Sequence, residues 1–253
     1  MSLDASPAAA SPLTPAAIRD FAVGFSGAVL APSHPDFDAT AAVRQLAATG
    51  RPALLVRPAD TADVVSAVAF ARREGLEIAI RGGGHSGAGH STGDGVLVID
   101  TRDLREITVD TEARRLRAGA GLPAGDVIAA AAEHGLTVPF GDTASVGIAG
   151  ITLGGGLGYL SRQHGLTIDN VLAIELVTAD GRVVTASEAS EPELFWALRG
   201  GGGNFGVVTA IEYRLVDAGI VYGGGLILPA IWNVLRGLAP LAGAAPPCPC
   251  APA

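Results

Sequence analysis

A chain of 253 residues with 49% apolar side chains can bury a sizeable core, and it fits one domain or two small ones better than a peptide or a repeat array. A net charge of −8, with no basic stripe to neutralise a run of phosphates, argues against a nucleic-acid partner. The 35 glycines are clustered, as expected where backbone approaches a ligand or takes positive φ.

Residues 1–20 are rich in Ala, Pro and Ser, carry acidic residues and lack a basic segment followed by an apolar core. No secretory leader is expected, and a cytoplasmic location is the default. Residues 1–46 read as a partly ordered lead-in without chemistry, with one short amphipathic stretch over 16–25. From Arg51 the texture changes, and residues 53–56 predict a buried strand. Thr61 is the expected cap of a helix, because Asp63 sits in its first turn and Val64, Val65, Val68, Ala69 and Ala71 recur at helical spacing until Gly75. Residues 76–80 predict the next strand, which runs straight into Arg81, Gly82, Gly83, Gly84, His85, Ser86 and Gly87. That loop therefore falls at the C-terminal end of a strand, where ligands of α/β units commonly lie.

A third strand is predicted over 95–100, and residues 106–110 and 115–118 alternate about a turn at Thr111 and Glu112 like an antiparallel pair. A helix over 124–134, ended by Gly135, precedes a second glycine region over 141–165. Strands over 171–179 and 182–186 meet at Asp180 and Gly181, a good hairpin turn. A short helix over 191–198, a third glycine loop over 200–203 and a strand over 207–215 complete an α+β pattern. Beyond Asp217 the one charged residue is Arg236. The apolar stretch 219–235 is interrupted by glycines, Pro229 and Asn233 below spanning length, so no membrane partner is expected. Cys248 and Cys250 have the wrong spacing for a redox pair or a zinc site and read as incidental.

Three glycine loops lose backbone entropy on ordering unless something requires them, and a dinucleotide is one such requirement. Consecutive N–H groups at Gly82, Gly83 and Gly84 can form a nest for a diphosphate. His85, read alone, is more readily a histidine donating to a loop carbonyl. A metal at His85 and His90 lacks a carboxylate or cysteine at ligand spacing. In the second region, Thr143, Ser145, Val146, Gly147, Gly150, Gly154, Gly155 and Gly158 offer hydroxyls and free amides that suit ribityl and phosphate oxygens. Close packing of helix on sheet explains one or two glycines there but strains to explain six over 147–158. An alternative lies in Gly119-Ala120-Gly121-Leu122-Pro123-Ala124, which satisfies GxGxxA with Asp142 roughly twenty residues beyond, as a nicotinamide dinucleotide fold requires. The preceding strand is crowded by Arg114, Arg115 and Arg117, whereas the first strand of that fold is buried and apolar.

Four motifs, Arg81-Gly82-Gly83-Gly84-His85-Ser86, Ser145-Val146-Gly147-Ile148-Ala149-Gly150 running into Leu153-Gly154-Gly155-Gly156-Leu157-Gly158, Gly165-Leu166-Thr167-Ile168-Asp169-Asn170-Val171, and Gly203-Asn204-Phe205-Gly206-Val207-Val208, together resemble the berberine bridge enzyme-like flavoproteins. These belong to the vanillyl-alcohol oxidase, or PCMH-type FAD-binding, superfamily, and the resemblance covers residues 51–216. It implies a two-lobed PCMH-type FAD domain over 47–217, with lobes 47–105 and 106–217. The loop from Arg81 to Ser86 would wrap the diphosphate and His85 would carry FAD covalently at the 8α-methyl carbon. Residues 145–150 and 154–158 would line the ribityl chain and flavin, while Gly206 and Val208 would close the adenine end. Where many members have a second, cysteinyl link this chain has Thr143, so a single histidyl bond is expected. Where plant members have a histidine near the flavin this chain has Ile151. The resemblance also implies hydride transfer from a small-molecule substrate to flavin, with molecular oxygen as acceptor. Residues 218–253 would then be the remnant of a truncated substrate domain, with the catalytic base on the missing part. A non-catalytic flavin-binding remnant is the other alternative.

Overall fold

The computed structural model describes residues 13–43 and 50–219, with isolated positions beyond. The expected substrate-domain remnant, including Cys248 and Cys250, lies almost wholly outside the described residues.

Helix α1 (Pro15–Val23) starts at Thr14, whose hydroxyl accepts from the amide of Ala17, with proline in the first turn where no N–H is missed. Strand β1 (Ala28–Leu30), α2 (Phe37–Ala41), β2 (Leu54–Arg57), α3 (Thr61–Glu74), β3 (Ile78–Arg81) and β4 (Leu97–Asp100) follow. The first sheet has the order β1-β2-β4-β3, with β1 antiparallel and the other two pairs parallel. Where the sequence suggests only a partly ordered lead-in, β1 is an edge strand, and Phe21 of α1 stacks on Phe70 of α3 at 4.3 Å. Asp63 explains how this stretch is held. Its buried carboxylate accepts from the amides of Ser26, Gly27 and Ala59 at 2.8 to 2.9 Å. Asp60 rather than Thr61 caps α3, accepting from the amide of Asp63, because it is the residue with extended backbone. The Thr61 hydroxyl turns away to Glu175.

The second sheet is antiparallel throughout. Strands β5 (Ile107–Asp110) and β6 (Arg115–Gly119) pair, then come α4 (Ala124–Ala132), β7 (Leu136–Thr137), α5 (Ile148–Leu153) and α6 (Ser161–His164). Strands β8 (Val171–Val177) and β9 (Val183–Ser187) form the expected hairpin, with Gly181 at φ +85°. Helix α7 (Pro192–Gly201), β10 (Val207–Arg214) and β11 (Val216–Asp217) complete the described chain, and the sheet order is β5-β6-β10-β8-β9. Among the described residues, no helix is long and apolar enough to cross a membrane.

This topology removes the nicotinamide reading of residues 119–124. Strand β6 lies between two antiparallel neighbours, so it is not the first strand of a parallel dinucleotide fold. The glycines there serve packing instead, since a Cβ on Gly119 would lie 2.4 Å from the Leu104 carbonyl oxygen and one on Gly121 1.9 Å from that of Thr101.

Each sheet has its own core, but Val177 of β8 and Val207 of β10 are buried in the core of the first. Glu175 clasps the two sheets at the same place. Its carboxylate accepts from Thr61 at the start of α3, from Thr209 of β10 and from Arg117 of β6. Burial alone would raise its pKa, but the hydroxyls of Thr209 and Thr61 and the Arg117 charge together hold it below the usual carboxylate value. A depressed carboxylate contributes stability above its unfolded pKa and loses it as pH falls through the folded one. Acid titration of stability is therefore expected to show a loss below the ordinary glutamate range that Glu175→Gln removes, at a cost of about 1 kcal/mol at neutral pH. An unchanged acid limb in the variant would show that the clasp contributes nothing.

Candidate dinucleotide-binding site

Parallel strands β3 and β4 end side by side, with Arg81 opposite Asp100, and a cavity of about 340 Å³ opens just beyond them. Its wall is Ala42, Val43, Arg81, Gly82, Gly83, Gly84, Arg102, Gly121, Pro123 and Gly147. Half of that lining is glycine and none of it is acidic. Such a volume is at the small end of ligand cavities, so a dinucleotide would occupy it with one section.

Bare backbone builds the wall. Residues 122–125 and 144–148 run alongside each other, with Ala124 N–H donating to the Val146 carbonyl and Ile148 N–H to that of Leu122. This presents Gly147 to the first glycine loop. A Cβ on Gly83 would lie 2.3 Å from the amide nitrogen of Gly147, and one on Gly147 equally close to that of Gly83. No other residue type allows the two loops to meet there. Gly84 is different: it sits at φ +69° with open space around it, so its need is conformational. The third glycine loop arrives at the same strand end, with Gly203 against Ile80 of β3.

His85 follows Gly84 at the mouth, half-buried, and its Nε2 lies 3.3 Å from Oγ of Ser145. The structure therefore brings together Gly82, Gly83, Gly84, His85, Ser145 and Gly147, which are distant in sequence. It does not bring all the expected residues to this wall. His85, Ser86, Gly87, Thr143, Ser145 and Val146 lie outside the lining itself, and Gly150, Gly154, Gly155, Gly158, Gly206 and Val208 do not line it either. Gly158 and Gly206, with Gly156 beside the former, have packing reasons that sequence spacing underrates. A Cβ on Gly158 would meet the Phe140 carbonyl oxygen at 1.9 Å, one on Gly156 the Thr167 hydroxyl at 2.2 Å, and one on Gly206 the Val177 carbonyl oxygen at 2.4 Å. Val208 is core, and Ile151 packs against that core. Thr143 is exposed, with its hydroxyl donating to Asp142.

Arg81 departs most from expectation. Its side chain is fully buried and donates to the carbonyls of Ser91, Thr40 and Ala41, beside Asp100 at 3.7 Å. Burial pulls its pKa below the usual arginine value while Asp100 opposes the shift. The guanidinium is thus spent on holding residues 40–43, and backbone is what Arg81 offers a ligand.

Sequence reasoning missed Ala42, Val43 and Arg102, and singled out Gly121 and Pro123 only as part of the nicotinamide alternative. The first two reach the wall because Arg81 grips the end of α2, a contact between a guanidinium and carbonyls that leaves no pattern in sequence. Arg102 carries a signal that could have been read, since a basic residue follows directly on a strand ending beside a glycine loop. Its guanidinium lies on Asp100, with Nε at 3.0 Å from Oδ1 and Nη2 at 2.6 Å from Oδ2. That hydrogen bond raises its pKa further.

Comparison with known proteins gives this geometry its context. Residues 52–187 match the family model described as an FAD binding domain. The chain is 42% identical to (R)-6-hydroxynicotine oxidase of Paenarthrobacter nicotinovorans over 195 residues, which is 77% of this chain and 43% of that protein. Among solved structures it is similar to BBE-like 1 of Physcomitrella patens, with 34% identity, a TM-score of 0.76, and coverage of 79% of this chain and 44% of that one. It is also similar to the glucooligosaccharide oxidase of Acremonium strictum, which carries a 6-S-cysteinyl, 8α-N1-histidyl FAD, with 28% identity, a TM-score of 0.75, and coverage of 79% and 43%. The chain spans less than half the length of each of these proteins.

Proposed function

The chain belongs to the FAD-binding domain family, and from that premise we propose that it is the cofactor-holding part of an FAD-dependent oxidoreductase, with FAD attached covalently through His85. One observation carries the reading: two loops from different sheets meet glycine to glycine at Gly83 and Gly147, and the cavity they wall is free of acidic side chains. A diphosphate needs such a wall, where oxygen atoms can reach backbone N–H groups that no Cβ shields. The residues present fit the group.

Gly82, Gly83, Gly84 and Gly147 would hold the diphosphate through their amides. His85 would carry the attachment, its ring oriented by Ser145, and Thr143 has no sulfur for a second link. Ser86, Gly87, Val146 and Gly150 would flank these contacts. Gly154, Gly155 and Gly158 would shape the flavin side through the backbone they position, and Gly206 and Val208 the adenine side. When bound, flavin supplies an acceptor for a hydride from a small-molecule substrate, with oxygen the proposed final acceptor. No residue of the cavity wall is assigned to proton transfer.

The test is to refold or incubate the purified chain with excess FAD and remove free flavin by gel filtration. A yellow protein with quenched flavin fluorescence is expected. A colourless protein under all these conditions ends the reading.

A further inference from the structure

Backbone amides carry partial charges, and a diphosphate brings full ones, so a wall made of glycine leaves a charge to be met. We propose that Arg102 meets it: the Arg102 guanidinium is the cation that binds the diphosphate of the dinucleotide. This rests on the FAD-binding reading above.

The wall holds two arginines, and their geometry separates them. Arg81 has its guanidinium directed at three carbonyls and Asp100, in a fully buried position. Arg102 is a wall residue whose side chain is 42% exposed, and it makes contacts to Asp100 through Nε and Nη2 only. A guanidinium has five N–H donors in a planar fork, so most of the fork is left for a ligand. Asp100 is completely buried between the two arginines, which leaves one net positive charge at this wall. It also fixes Arg102 in place before any ligand arrives, so little side-chain entropy is lost on binding. Charged donors aimed at phosphate oxygen form shorter and stronger hydrogen bonds than amides do. Arg102 also partners the buried Asp100 carboxylate, so its replacement is read together with Asp100→Asn below.

The experiment uses the full chain carrying His85→Ala, so that FAD exchanges freely, and measures FAD affinity by flavin fluorescence across a salt series. Adding Arg102→Gln is expected to weaken FAD by about tenfold to a hundredfold and to flatten the salt dependence, with Arg102→Lys in between. A stranded Asp100 carboxylate could mimic this loss, so Asp100→Asn is combined with Arg102→Gln. If that combination restores parental affinity, Arg102 acts only by neutralising Asp100 and the proposal is overturned. Equal affinity and equal salt slope in Arg102→Gln also overturn it. If the His85→Ala parent binds no FAD at any salt, while unliganded melting shows it folded, the FAD-binding reading falls and takes this proposal with it.

Discussion

Replacement of His85 by alanine is expected to abolish acid-stable flavin altogether. In the parent, precipitation with acid should leave flavin fluorescence in the pellet, because denaturation breaks every non-covalent contact and spares a covalent bond. In His85→Ala the fluorescence should move entirely to the supernatant. The prediction is all-or-none because the resemblance puts Thr143 where doubly linked members would have a cysteine, and an unactivated aliphatic hydroxyl is too weak a nucleophile to take over the attachment. Ser145→Ala should behave differently. Its Oγ lies 3.3 Å from Nε2 of His85, so its loss frees the ring without removing it, and attachment should slow while still reaching completion. A fluorescent pellet from His85→Ala would place the bond on another residue. A flavin-binding parent whose pellet is dark would leave the cofactor reading standing and remove the covalent one.

The second large effect is steric. Gly83→Ala and Gly147→Ala each place a carbon 2.3 Å from backbone nitrogen of the opposite loop. Backbone cannot rotate aside as a side chain can, so the loops must part. Overpacking of this kind costs about 3 kcal/mol or more, at the upper end of the usual range, and here it also splits the wall that would hold the diphosphate. Both variants are expected to lose FAD binding and to melt well below the parent. Gly84→Ala is the control, since its added carbon meets nothing within 4 Å and it bears only the cost of left-handed backbone, about 1–2 kcal/mol. Should Gly83→Ala melt and bind FAD like the parent, the contact between the loops does not hold the site together.

The parts of this fold that could be read from sequence are the ones whose causes are local. The helix after β2, the hairpin at Gly181 and the strand leading into the first glycine loop each follow from side-chain spacing and a turn residue within a few positions. Asp60 took the cap assigned to Thr61 because cap choice depends on backbone angles, which neither residue reveals in sequence. In the candidate site, Gly82, Gly83, Gly84 and Gly147 stand out in sequence as clustered bare backbone, and they do share the cavity wall, with His85 next in the chain and against Ser145. Gly158 and Gly206 lie off that wall and face carbonyls of their own fold, while Gly119 and Gly121, whose spacing imitates a nicotinamide fingerprint, pack closely against the turn after β4. Ala42 and Val43 left no mark in sequence, being ordinary residues placed by the distant Arg81.

The grip of Arg81 on the carbonyls of Thr40 and Ala41 joins residues 41 and 40 positions apart, and His85 finds Ser145 across 60. Contacts so far apart along the chain close late, after the local elements that carry them. A ligand that recognises the finished wall then binds the native state alone and raises its melting temperature with concentration. Saturation with cofactor would thus count correctly assembled molecules, one by one, in any preparation of this protein.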